Sequence, residues 1–122
     1  MNTAIIMLGS NTNAKRNMEH TFRKLLGFFE IINKSVQVDT EPVGADSVPD
    51  FNNIALKIST NKPREETVAI FKQIEREAGR RADSKLTGII PIDIDLIFWN
   101  DMLVHDDYNR FEYVQNCVNE IK

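Results

Sequence analysis

Two periodicities of hydrophobic and polar positions divide this chain into strands and helices. Ala4-Ile5-Ile6-Met7-Leu8 is uniformly apolar, the pattern of a strand buried on both faces. Gly9-Ser10-Asn11 breaks it, and Asn13 is placed to cap a helix over 14–29, with Met18, Phe22, Leu25, Leu26 and Phe29 on one side. A second strand is predicted over 31–39, where Ile32, Lys34, Val36 and Val38 face one way. A loop over 40–50 follows, long enough to suggest a functional role. Phe51-Asn52-Asn53 opens a third strand, with Ile54, Leu56 and Ile58 on one face and Asn53, Ala55 and Lys57 on the other. Pro63 takes the first position of a second helix whose apolar stripe is Val68, Phe71, Ile74 and Ala78, and Gly79 stops it. A polar loop over 80–87 leads to a strand over 90–99, and a last helix is predicted near 108–121. The order β-α-β-β-α-β, with right-handed crossovers, predicts a ferredoxin-like α+β sandwich in a single domain over 1–122. Its antiparallel sheet carries the two helices on one face, and a short C-terminal helix is added.

The strand over 90–99 carries the candidate chemistry. Alternation sends Ile92, Ile94 and Leu96 to one face, and Asp93 and Asp95 to the other. The two carboxylates are then about 6.5–7 Å apart between Cα atoms. An unpaired charge in so apolar a strand is costly. The pair either lines a solvated face, hydrated or bound to a Lys or Arg, or holds Mg²⁺ through hard oxygen ligands. The glycine-serine turn after the first strand reads as a simple turn; one glycine is thin grounds for a phosphate loop.

Composition narrows the classes. Hydrophobic residues make up 42% and charged residues 27% of 122 residues, ordinary for a globular protein with a real core. A net charge of -3 provides no basic field for nucleic acid. No apolar run reaches the length of a membrane span, and Met1-Asn2-Thr3 opens directly into a strand, so a cytoplasmic protein without a leader is expected. The single cysteine, Cys117, excludes an internal disulfide and reads as a helical packing residue.

Four segments in order carry a family resemblance: Leu8-Gly9-Ser10-Asn11; Thr40-Glu41-Pro42-Val43-Gly44 with Pro49-Asp50-Phe51-Asn52-Asn53; Ile74-Glu75-Arg76-Glu77-Ala78-Gly79-Arg80; and Ile92-Asp93-Ile94-Asp95-Leu96. Together they resemble the 6-hydroxymethyl-7,8-dihydropterin pyrophosphokinases, which transfer diphosphate from ATP in folate biosynthesis. The resemblance implies that Asp93 and Asp95 hold two Mg²⁺ ions that bridge the ATP phosphates, with Arg80 as a further catalytic residue. It also implies that Asn53 recognises the pterin through its amide. Thr40, Pro42 and Val43 would complete the ring's hydrogen bonds, and Phe51 and Phe111 would stack on it. Glu75, Lys85 and His105 would face the nucleotide. The expected partners are ATP and a hydroxymethyl-pterin, with no nucleic acid or membrane, and a monomer or weak homodimer.

The chain also departs from the family pattern. Between Arg81 and the two aspartates the only cation is Lys85, and Ile89 and Ile90 stand where a proline-arginine pair is expected. A degenerate module that binds pterin or nucleotide without turnover therefore stays open beside the enzyme. An interaction domain with no ligand is disfavoured by Asn53, Asp93 and Asp95.

Overall fold

The computed structural model of the chain describes residues 1–41, 49–80 and 87–122. Strand β1 (Asn2–Ser10) is followed by helix α1 (Ala14–Phe28), strands β2 (Glu30–Lys34), β3 (Val38–Thr40) and β4 (Phe51–Thr60), and helix α2 (Arg64–Glu77). Strand β5 (Asp93–Trp99), a short β6 (Met102–Leu103), and helices α3 (Asp107–Arg110) and α4 (Glu112–Ile121) complete the chain. The sheet order is β2-β4-β1-β5-β6, with β3 also paired to β4. Every pairing is antiparallel. This is the expected ferredoxin-like arrangement, with β1 at its centre.

Alternation along β1 supplies two cores. Ala4, Ile6 and Leu8 join Leu56, Ile58, Ile92 and Ile94 under α1 and α2, whose Leu25, Phe29, Ile70, Phe71 and Ile74 close that side. Ile5 and Met7 join Ala55 on the other face, covered by Val114, Cys117, Val118 and Ile121 of α4. The C-terminal helix thus roofs the face that the two main helices leave open, and Cys117 packs in it as expected. Burying the Val, Leu, Ile, Phe and Met side chains among these contributes roughly 1.5–3 kcal/mol each.

Several boundaries differ from the sequence pattern for local reasons. The predicted strand over 31–39 is two strands, because the backbone N–H of buried Ser35 donates to Ala55 O and the Ser35 hydroxyl accepts from Ala55 N, both at 2.9 Å. A register shift between Ile31 and Asn33 accompanies the break. Ile32 and Val36 are consequently exposed at 49% and 62%. Leu26, placed with Met18, Phe22, Leu25 and Phe29 on one side of α1, is exposed; Leu25 is buried as expected, and Thr21 is buried beside it. Asn13 occupies the N-cap in a left-handed conformation and makes no side-chain cap bond; the turn is closed by Asn17 Nδ2 donating to Thr12 O at 2.6 Å. Pro63 is the N-cap of α2, one position before the helix starts. The last predicted helix is divided at Phe111, whose backbone is extended.

The segment before β5 is tied down by a side chain and does not pair in the sheet. Pro91 has no N–H to offer a ladder. Buried Asn11 accepts from Ile90 N at 2.7 Å and donates through Nδ2 to Gly88 O at 2.6 Å, while its own N–H donates to Ile90 O at 3.1 Å. Asn11→Ala leaves the buried Ile90 N–H and the Gly88 carbonyl without their side-chain partner. The expected cost is about 1–3 kcal/mol of unfolding free energy, read from the midpoint of a urea titration at unchanged slope.

Candidate functional site

The register of the three central strands builds the site. Gly9 of β1 pairs with Asn53 of β4 on one side and with Asp93 of β5 on the other. Two pairs further along, on the same face, Met7 stands opposite Ala55 and Asp95. Asn53, Asp93 and Asp95 therefore rise from the same sheet face and line one cavity of about 340 Å³. Thr40, Phe51 and Phe111 line it too, so six of the residues expected from sequence converge. Pro42, Val43 and Lys85 lie outside the described residues.

Gly9 makes the space. A Cβ there would lie 3.2 Å from Asn53 Oδ1 and 3.7 Å from the Phe51 ring. Asn53 is buried, and its Nδ2 donates to Val38 O at 3.0 Å, Thr40 Oγ1 at 2.9 Å and, more weakly, Phe51 O at 3.4 Å. The donor end of the amide is thus committed to the protein. The acceptor Oδ1 lies over Gly9, and it is the end left for a ligand N–H.

On the other side the charges form a chain. Helix α2 ends in a Schellman motif: Gly79, at φ +98°, donates its N–H to Arg76 O, and Arg80 N donates to Glu75 O. That reversal brings Arg80 back beside the helix, where Nη1 donates to Glu75 Oε2 at 2.9 Å and to Asp93 Oδ1 at 2.5 Å. Glu75, only 4% exposed, also accepts from Ile94 N at 2.8 Å, between the two aspartates. Lys72 pairs with its second oxygen at 3.3 Å. Glu75, expected at the nucleotide, has its carboxylate engaged within the protein, where it holds both Arg80 and the β5 backbone.

The two aspartates titrate apart. Burial pushes Asp95 up to about 8, helped by the negative charge of Asp93 and a hydrogen bond to it, then by Asp107 and Glu75. Burial also raises Asp93, but the hydrogen bonds from Asp95 and Arg80 and the Arg80 charge outweigh it and hold Asp93 below the usual carboxylate range. Between them the pair keeps one proton near neutral pH, as expected for like charges in one place. Such a pair fits a hard divalent cation, which replaces the proton and relieves the repulsion. Asp93 Oδ1 is taken by Arg80, so a cation would bind through Asp93 Oδ2 and, on displacing the proton the pair shares, through the Asp95 carboxylate.

His105, expected at the nucleotide, is not in the cavity lining but lies beside Asp95 and Asp107. Its Nδ1 accepts from Asp107 N at 3.1 Å, which places the neutral ring's proton on Nε2, 3.8 Å from Asp95 Oδ1. Ligand atoms of Asp95, His105 and Asp107 lie within 4.8 Å of one another. Asp107, Glu41, Tyr113, Ile97 and Val114 also line the cavity, beyond the site residues expected from sequence. Tyr113 is the most informative of these: its ring lies 5.8 Å from that of Phe111. The aromatic-x-aromatic pattern of Phe111 and Tyr113 was the available signal, but only the roof formed by α4 shows that both rings reach the cavity.

Comparison with known proteins agrees with this geometry. Residues 5–122 match the model of the family described as 7,8-dihydro-6-hydroxymethylpterin-pyrophosphokinase. A 2-amino-4-hydroxy-6-hydroxymethyldihydropteridine pyrophosphokinase of Aquifex aeolicus is 30% identical over 105 residues, covering 85% of this chain and 65% of that protein. A folate synthesis bifunctional protein of Arabidopsis thaliana is also 30% identical over 105 residues, covering 84% of this chain and 22% of its own length. The chain thus spans only a part of these relatives. In fold it resembles a Plasmodium falciparum HPPK-DHPS crystal structure with a TM-score of 0.60 at 15% identity, covering 98% of this chain and 33% of that one.

The carboxylate pair generates a pH signature. Asp95 binds its proton more tightly folded than unfolded, so its contribution to stability is full below about pH 4 and is lost as pH rises through about 8. Asp93 acts in the opposite sense, and its contribution is lost only in acid. In metal-free buffer the melting temperature is therefore expected to fall between pH 5 and 9, and Asp95→Asn to flatten that slope. An unchanged slope in the variant would remove Asp95 as its source.

Gly9→Ala tests the shape of the cavity. The added methyl presses on Asn53 Oδ1, which is pinned and has little room to yield. Ligand affinity is expected to fall at least tenfold, about 1.4 kcal/mol, with the far-ultraviolet circular dichroism unchanged.

Proposed function

We infer the activity from one premise, that this chain belongs to the 7,8-dihydro-6-hydroxymethylpterin-pyrophosphokinase family. The reaction we propose is transfer of diphosphate from ATP to 6-hydroxymethyl-7,8-dihydropterin, giving the diphosphate ester and AMP, a step of folate biosynthesis. One observation carries it: Asn53 and the Asp93–Asp95 pair open onto a single cavity from the two sides of Gly9. An acceptor group for a heterocycle and an anionic pair for a metal–phosphate complex are then within one substrate's reach of each other.

The residues divide the labour along that cavity. Asn53 Oδ1 accepts from the N–H groups of the pterin's pyrimidine edge, and Thr40 holds the amide in that orientation. Phe51, Phe111 and Tyr113 receive the flat ring by stacking and edge contacts. Mg²⁺, two ions with ATP, would be held by Asp93 and Asp95 and would supply neutralisation of the phosphate charge. Arg80 fixes one oxygen of Asp93 and adds a cation at that end, while Glu75 fixes Arg80. His105, its Nδ1 occupied by Asp107, presents Nε2–H as a donor to a phosphate oxygen. In-line attack of the hydroxymethyl oxygen on the β-phosphorus then depends chiefly on how these groups position the two substrates. A cytoplasmic enzyme working as a monomer or weak homodimer belongs to the same proposal.

Calorimetry with each ligand and an AMP-release assay with both test the proposal. Hydroxymethyl-pterin is expected to bind in the micromolar range, about -8 kcal/mol. Asn53→Ala is expected to weaken that binding by roughly 1–3 kcal/mol, and Asp95→Ala to abolish AMP release without unfolding the chain. Pterin binding with no AMP release from the unaltered protein would leave a binding module and defeat the enzyme.

A further inference from the structure

A second polar cavity, of about 390 Å³, lies between the N-terminal half of α1 and the C-terminal end of α2. It shares no lining residue with the site described above. Arg16, His20 and Lys24 line it at intervals of four residues, one stacked above the next on a single face of α1. Thr12, Asn13 and Asn17 add hydroxyl and amide groups at one end. Among the described residues Glu77 is the one acidic side chain in the lining, 3.0 Å from Lys24. Among the described residues, Arg16 and His20 form no ion pair and no side-chain hydrogen bond. A chain with a net charge of -3 has here gathered basic groups around a concave surface and left two of them without a partner.

We propose that this cavity is a second binding site, for a small molecule carrying a chain of phosphate groups. Spacing selects that class. Arg16 and Lys24 are eight residues apart, about 12 Å along the helix axis. A single tetrahedral anion reaches one or two of the three basic groups, whereas a linear polyphosphate reaches all of them. The volume falls in the usual range for small-molecule sites, about 300–1,000 Å³. Both inorganic polyphosphate and the phosphate tail of a nucleotide have the required chemistry.

Its position links it to the first site. The lining includes Thr12 and Asn13, just after Asn11; Glu77 and Ala78, just before Arg80; and Pro91, just before Asp93. These are the backbone segments that deliver the site's side chains, and Asn11 already ties the first of them to Gly88 and Ile90. A ligand here clamps the rear of the strand and helix ends that present Asp93 and Arg80.

The test is a calorimetric titration of the Asp93→Ala/Asp95→Ala chain with inorganic tripolyphosphate in chelator, so that no metal–phosphate binding at the first site contributes. Titration with ATP under the same conditions separates the two sources. We expect one equivalent of tripolyphosphate to bind, and Arg16→Ala/Lys24→Ala to weaken it at least tenfold, with amide shifts of Thr12, Asn17 and Ala78 in nitrogen–proton correlation spectra. Tighter binding of ATP identifies the nucleotide as the natural source; equal or weaker binding identifies free polyphosphate. No binding, or binding that the Arg16/Lys24 variant leaves unchanged, overturns the proposal. Circular dichroism of the variant confirms its fold, and Arg16→Lys, which keeps the charge, is expected to restore most of the affinity. Because the titrated chain lacks both aspartates, the result is independent of whether the first site transfers diphosphate.

Discussion

Antiparallel pairing of β1 with strands on both of its edges is the constraint on which the rest of this molecule depends. It fixes Gly9 between Asn53 and Asp93, so residues 40 positions apart in sequence stand in one row across the sheet. A side chain at the middle of that row would fill the cavity and press on Asn53. One missing Cβ, flanked by an amide and a carboxylate, is therefore what turns a β-sheet face into a site. The roof is equally dependent on β1: Ile5 and Met7 point to the same face as Gly9 and give α4 its apolar footing.

A second dependence is electrostatic. Three negative groups, Glu75, Asp93 and Asp95, crowd the end of β5, and one guanidinium serves two of them. Among the described residues Asp95 pairs with no Lys or Arg, and burial together with the charge of Asp93 pushes its carboxyl up to about 8. The position of Arg80 follows from Gly79, whose left-handed backbone turns the chain back at the end of α2. Removing a buried partner from such a network exposes uncompensated charge and costs more than the pair contributed. Stability and the proton balance of the site are thus linked through the same few atoms.

The fold was largely legible because its signals are local. A uniformly apolar run at Ala4 to Leu8 marks a central strand, and the i, i+3, i+7 spacing of Phe71, Ile74 and Ala78 marks a helix face, whatever packs on either. The alternation that separates Asp93 and Asp95 from Ile92, Ile94 and Leu96 held as far as Leu96. It then shifted at a bulge against Ile5 and Ile6, where Ile97 and Phe98 both turn to the α4 side. Such a bulge leaves no mark in the hydrophobic pattern, because both neighbours are apolar. The break at Ser35 was equally silent, since it rests on the Ala55 backbone twenty residues away.

Sequence by itself determined where the candidate groups stand: two carboxylates in an apolar strand by alternation, and an asparagine amide and aromatic rings by the motifs of the family resemblance. Those properties belong to side chains and to spacing of two or four residues, so no fold is needed to read them. Only tertiary structure decided their partners and their protonation. Glu75 turned inward to hold Arg80, the amide of Asn53 committed its donor end to Val38 and Thr40, and Tyr113 joined Phe111 at the cavity. The reason is that burial and hydrogen bonding depend on what the fold brings within about 3 Å, and no sequence interval specifies that distance.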